Sequence, residues 1–133
     1  HGAYTEVFIR WMERIEAGKP PIIFGDGSQT MDFVNAIDIA RANILAARSE
    51  ATDVILNVAS GEETSLKELA DAIGRAMGRE IEPEFQAPRA INPVPRRLAE
   101  VERTKRLIGF EAEIPLDKGL RNLVSWWRGR KAK

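Results

Sequence analysis

The fold turns on residues 22–36, Ile22-Ile23-Phe24-Gly25-Asp26-Gly27-Ser28-Gln29-Thr30-Met31-Asp32-Phe33-Val34-Asn35-Ala36. Three β-prone residues run into Gly-Asp-Gly-Ser, a set that bends the chain sharply, so 22–24 reads as a short strand followed by a turn. Residues 31–36 read as a second short strand. Just upstream, Pro20-Pro21 stops any helix, and Val7, Phe8, Trp11, Met12 and Ile15 recur at helical spacing before Gly18. This predicts a helix over residues 4–17. Downstream, Asp38 is placed to N-cap a helix carrying Ile39, Ala42, Leu45 and Ala46.

Beyond the polar link 49–53, Val54-Ile55-Leu56-Asn57-Val58 is a short apolar run bounded by turn residues, which predicts a buried strand. Ser65-Leu66-Lys67-Glu68 is a capping box. It opens a helix whose apolar positions Leu66, Leu69, Ala70, Ile73 and Met77 end at Gly78. Ile81 to Phe85 alternates like an edge strand, where Pro83 is tolerated. Residues 86–98 hold three prolines and no hydrophobic period, so they read as an extended loop of the length that usually serves function. A short helix over 100–108 stops at Gly109. A final one, led by Pro115, shows Leu116, Leu120, Leu123, Val124 and Trp127 on one face and ends at Gly129. The fold class is mixed α/β: helices with a few short strands in a single domain over residues 1–133.

Composition narrows the function. The 133 residues are 44% hydrophobic and 30% charged, ordinary for a globular chain, and 20 basic residues balance 20 acidic ones. A nucleic-acid partner calls for a basic excess, so none is expected, despite Arg96-Arg97 and the tail from Arg130 to Lys133. The absence of cysteine excludes disulfides and thiolate metal sites and fits a cytoplasmic protein. No apolar stretch is long enough to span a membrane. The one histidine is His1. No metal-ligand spacing occurs, and Ser28, Ser60 and Ser65 lack an internal base and read as turn or cap residues. No glycine fingerprint for a dinucleotide follows a strand. Catalytic residues are therefore expected to be none, and a complete enzyme is not expected.

What remains are loops able to hold an anion with an apolar part. The turn after Phe24 offers backbone amides beside an aromatic, although a tight turn with Phe24 in the core explains the same residues. Arg89, Arg96 and Arg97 flank the proline-rich loop, where a guanidinium clamps a phosphate bidentately, or simply forms a solvated basic patch. Trp127 reads as core and Trp126 as its partly exposed neighbour.

Four ordered segments resemble a known family. Residues 24–34 followed by Asp38-Ile39-Ala40-Arg41-Ala42 resemble the GDGxQxRDFVxVxD stretch of extended short-chain dehydrogenases/reductases. Residues 57–65 are similar to its strand and turn before a helix. Arg96-Arg97-Leu98-Ala99-Glu100 with residues 105–110 resembles its late arginine segment and LGF turn. Ile114 to Trp127 resembles its closing helix. The chain is thus identified as resembling the C-terminal part of an NAD-dependent epimerase/dehydratase, close to the UDP-glucose 4-epimerase-like group.

The resemblance implies NAD or NADP bound by an N-terminal Rossmann domain that this stretch does not include, with no cofactor held by these residues themselves. It implies a Tyr-x-x-x-Lys catalytic pair elsewhere, since after Tyr4 position 8 is Phe. It implies a nucleotide-sugar substrate, a UDP-sugar above all. Ile23 and Phe24 would lie against the base, and Arg97 or Arg96 would meet the diphosphate. Asp38 and Asn57 would be structural. Met31 stands where the pattern has an arginine, a loss of about 1.5–3 kcal/mol for a charge-assisted contact. Either Arg96, Arg97 or Arg89 compensates, or the substrate differs from the common UDP-hexoses. A start at His1 inside a longer protein would leave apolar surface bare. An α/β module that self-associates as a homodimer, or exchanges strands, is therefore the alternative expectation.

Overall fold

The computed structural model describes residues 7–88 and 94–131. The elements in chain order are α1 (Val7–Glu16), β1 (Ile22–Phe24), β2 (Thr30–Met31), α2 (Ala36–Arg48), β3 (Thr64–Ser65), α3 (Leu66–Met77), β4 (Glu84–Gln86), β5 (Arg96–Arg97), α4 (Glu102–Ile108) and α5 (Leu116–Lys131). The fold is mixed α/β, as the periodicity predicts.

The main core lies between α1, α3 and α5. Trp11, Met12 and Ile15 of α1 meet Leu69, Ala70, Ile73 and Met77 of α3 and Leu120, Val124 and Trp127 of α5, with Ile23 of β1 closing one side. The helix α3 deserves its strong sequence signal. Ser65 accepts from the Glu68 amide, and the Glu68 carboxylate reaches back to the Ser65 amide at 2.7 Å. Its far end closes on Gly78 in the left-handed conformation. Inside the same helix, a Cβ at Gly74 would lie 2.8 Å from Ile81 Cγ1 and 2.9 Å from the Arg79 carbonyl. Glycine is what lets the chain turn back against its own helix there.

A smaller core of Ala42, Ile108 and Phe110 ties α2 to α4. It is pinned by Asp38, only 1% exposed, whose carboxylate accepts from the amides of Glu113 and Ile114 and from Arg41. Arg41 also donates to the Glu111 carbonyl and to Glu113, and its guanidinium lies 5.3 Å from the centre of the Phe110 ring. Burial pushes the Asp38 carboxyl up, yet the hydrogen bonds from Arg41, Ile114 and Glu113 outweigh it and hold the group below its ordinary value.

Asp38 therefore does not N-cap α2, as the sequence suggests. Asn35 does, its side chain accepting from the Ile37 amide at 2.9 Å. Asp38 sits a turn later, where its carboxylate serves the 113–114 segment instead. Three other expectations are corrected. The second strand covers only Thr30–Met31. Residues 54–58 form no strand, and Val54 and Ile55 are 38% and 89% exposed rather than buried, because no neighbouring strand among the described residues offers a ladder. Helix α5 runs through Gly129 to Lys131, since Gly129 stays out of the left-handed region that ends a helix.

The strands form two small sheets. β1 pairs parallel with β4, Ile23 opposite Phe85. β2 lies between β3, antiparallel, and β5, parallel. The 86–98 stretch thus contributes the end of β4 and the whole of β5 rather than loop alone.

Candidate functional site

The three-stranded sheet brings together two segments that the sequence singles out separately. Thr30 is in register with Arg96, and Met31 with Arg97; across β3, Thr30 faces Ser65 and Met31 faces Thr64. Side chains alternate along a strand, so the row Thr64, Met31, Arg97 lies on one face and the row Ser65, Thr30, Arg96 on the other. Thr64 lines a cleft together with Phe33, Ser60, Ile114 and Leu116. Arg97 is exposed on that side, next to half-buried Met31.

Its neighbour is committed elsewhere. Arg96 donates through Nε and Nη2 to the two carboxylate oxygens of Glu63, at 2.8 and 2.7 Å. Thr30 Oγ1 donates to the same carboxylate at 2.7 Å. The hydrogen bonds from Arg96 and then Thr30 hold the Glu63 carboxyl down to about 2. Among the described residues, Arg97 forms no such pair, so the two adjacent arginines are not equivalent. Their sequence could not tell them apart. Arg89 lies outside the described residues.

Ile23 and Phe24 occupy different environments. Ile23 is 1% exposed and packs into the main core, so it presents no open surface to a ligand. Phe24 is half-buried at the end of β1, and its carbonyl accepts from Gln29 Nε2 at 2.9 Å. The turn between them and β2 is tightly built. Gly27 has a φ of +76°, and a Cβ there would come within 2.9 Å of Lys67 Cγ and 3.3 Å of both Ile23 and Phe85.

The serines behave as turn and cap residues. Ser28 donates to Asp26, Ser65 caps α3, and Ser60 donates to Asp32 at 2.6 Å. The other Asp32 oxygen accepts from the Gly61 amide, so Asp32 holds the 60–61 turn against β2. Asn57, expected to support a turn, donates to the Glu100 carbonyl and accepts from Thr104 Oγ1. Asp32 and Glu63 are the organising residues that the sequence did not single out. Both lie inside segments that carry the family resemblance, but neither role has a local signal; the partners of Glu63, for example, are 33 residues away on either side.

A dinucleotide cofactor needs a helix N-terminus with open amides to meet its pyrophosphate. The helices that follow β2 and β3 do not offer one, because Asn35 closes α2 and Ser65 with Glu68 closes α3. Among the described residues, no three His, Cys, Asp or Glu side chains converge as metal ligands would, and no helix is long and apolar enough to cross a membrane.

The same arrangement occurs in enzymes of known structure. The UDP-glucose 4-epimerase of Thermotoga maritima, solved with UDP-glucose, superposes with a TM-score of 0.87 at 28% identity over 96% of this chain and 40% of its own. The UDP-N-acetylglucosamine 4-epimerase of Methanobrevibacter ruminantium, solved with UDP-N-acetylmuramic acid, superposes at 0.88 with 27% identity, over 98% and 41%. The fold is thus that of the part of the Rossmann-type epimerases that it matches, 40% and 41% of those two chains. In sequence, the profile of the NAD dependent epimerase/dehydratase family matches residues 1–59. The UDP-glucose 4-epimerase of Mycolicibacterium smegmatis is 34% identical over 130 residues, 98% of this chain. The chain belongs to the NAD dependent epimerase/dehydratase family, among its UDP-glucose 4-epimerase-like members. It spans 41% of the length of that relative.

Proposed function

We propose that residues 1–133 form the nucleotide-sugar-binding part of an NAD(P)-dependent epimerase or dehydratase. Its role is to grip the nucleoside diphosphate and orient the sugar for transient oxidation. The observation that carries this reading is the row Thr64, Met31, Arg97 on one face of the sheet, whose Thr64 end lines the cleft. Met31 takes the place of the family's arginine, and Arg97 on the adjacent strand supplies a guanidinium with no ion partner among the described residues. Phe24, at the end of β1, offers an aromatic edge to the base. When bound, NAD(P) supplies the hydride acceptor. This chain contributes grip and orientation, since Phe8 stands where the lysine of a Tyr-x-x-x-Lys pair would be.

Calorimetric titration of the 133-residue chain with UDP, UDP-glucose and NAD tests the reading. Losing one charge-assisted contact, Arg97→Ala is expected to weaken UDP about tenfold or more. Binding of NAD with the affinity of a whole dehydrogenase, or UDP affinity indifferent to Arg97, would overturn it.

A second reading rests on surface rather than site. Ile37 and Ile44 of α2, two turns apart, are 63% and 52% exposed, and Ile55 is 89% exposed. These residues suit a non-catalytic α/β module that pairs with a second copy of itself. Light scattering separates the two: a dimer that Ile55→Asp dissociates supports pairing, and a strict monomer removes it.

A further inference from the structure

The sheet that presents Arg97 is too short to hold itself. β2, β3 and β5 have two residues each, and ladders of that length are marginal in water. One side chain touches all three strands' neighbourhoods. Glu63, directly before β3, accepts from Thr30 of β2 at 2.7 Å and bidentately from Arg96 of β5 at 2.8 and 2.7 Å. We infer that Glu63 is a positioning residue: it pins β5 to β2 and β3 and so aims Arg97 at the ligand on the opposite face. This rests on the nucleotide-sugar reading for the identity of the ligand.

Magnitudes favour a geometric role over a stabilising one. The Glu63 and Arg96 side chains are 31% and 65% exposed, and exposed ion pairs add little to global stability. Yet the pair has fork-to-carboxylate geometry, which fixes orientation as well as distance. Strand alternation then converts a fixed Arg96 into a fixed Arg97, because adjacent residues of one strand cannot turn independently. The carboxyl at about 2 stays charged across the whole working pH range, so the pin does not release on mild acidification.

The test combines hydrogen exchange with binding in the full chain. The Thr30 amide, donated to the Pro95 carbonyl at 3.0 Å, reports on the β2–β5 junction. In Glu63→Ala, the Thr30 amide should exchange faster while the amides of α3 keep their protection. UDP affinity should fall about tenfold, as in Arg97→Ala, with affinity for uridine unchanged. The double variant should bind UDP no more weakly than Arg97→Ala alone, since both act through one guanidinium. Glu63→Gln, which keeps one acceptor oxygen, should fall between. Unchanged Thr30 exchange, or equal losses for UDP and uridine, would overturn the inference. If Glu63→Ala frees the Thr30 amide but Arg97→Ala leaves UDP affinity intact, the pin stands and the nucleotide reading falls.

Discussion

Replacing Asp38 by alanine removes the buried carboxylate through which α2 accepts the main-chain amides of the segment entering α5. The wild-type group is 1% exposed and accepts from the Glu113 amide at 3.2 Å, the Ile114 amide at 3.0 Å and Arg41 Nη2 at 2.9 Å. Arg41 keeps Glu113 and the Glu111 carbonyl, so its loss is partly covered. The two amides have no such alternative. Hydrogen bonds to a charged acceptor contribute about 1.5–3 kcal/mol each, and the low end applies because water can reach the half-exposed 113–114 segment, giving about 3 kcal/mol in all. For a chain of this size that is a fall of roughly 10 °C in Tm. Asp38→Asn keeps one acceptor oxygen and should lose about half as much.

The pH dependence has a defined sign. The folded carboxyl lies below its ordinary 3.8, so its contribution is fully present above that value and is lost as pH falls through the lower folded value. Urea unfolding of wild type, Asp38→Ala and Asp38→Asn between neutral pH and acid measures this. A loss under about 1 kcal/mol in Asp38→Ala at neutral pH would refute the reasoning, as would a wild-type advantage that grows rather than shrinks as pH falls below 3.8.

Two further outcomes follow from the same structure. Ser65→Ala opens the capping box of α3 and should lower stability by about 1 kcal/mol in chemical denaturation, whereas Ser28→Ala, confined to an exposed turn, should change it by less than about 0.5 kcal/mol. Ile55→Asp, at an 89% exposed position, should likewise leave monomer stability within about 0.5 kcal/mol of wild type, and a larger loss would show that Ile55 is packed after all.

Local chemistry made much of this fold legible. The capping box at Ser65 and Glu68, the left-handed Gly78, the paired prolines before β1 and the helical stripes of α1 and α5 act over a few residues, so they can be read directly from the order of amino acids. The main core followed, because Trp11, Ile15, Leu69, Ile73, Leu120 and Trp127 are the apolar positions of those stripes. The ordered motifs also named the family, since a series of weak local patterns at the right spacing is jointly specific.

What depended on distant partners was not legible. Residues 54–58 have a strand's composition but no ladder among the described residues. Asp38 and Asn35 are both good capping residues, and only the position of the 113–114 amides drew Asp38 into the interior. Arg96 and Arg97 are chemically identical neighbours; the register of β5 against β2, and Glu63 arriving from 33 residues away, committed one and left the other without an ion pair among the described residues. Sequence alone determined which helices form and which family they compose. The tertiary structure decided which charged groups are engaged with one another, because pairing energy depends on distances between segments that the chain's local order does not encode.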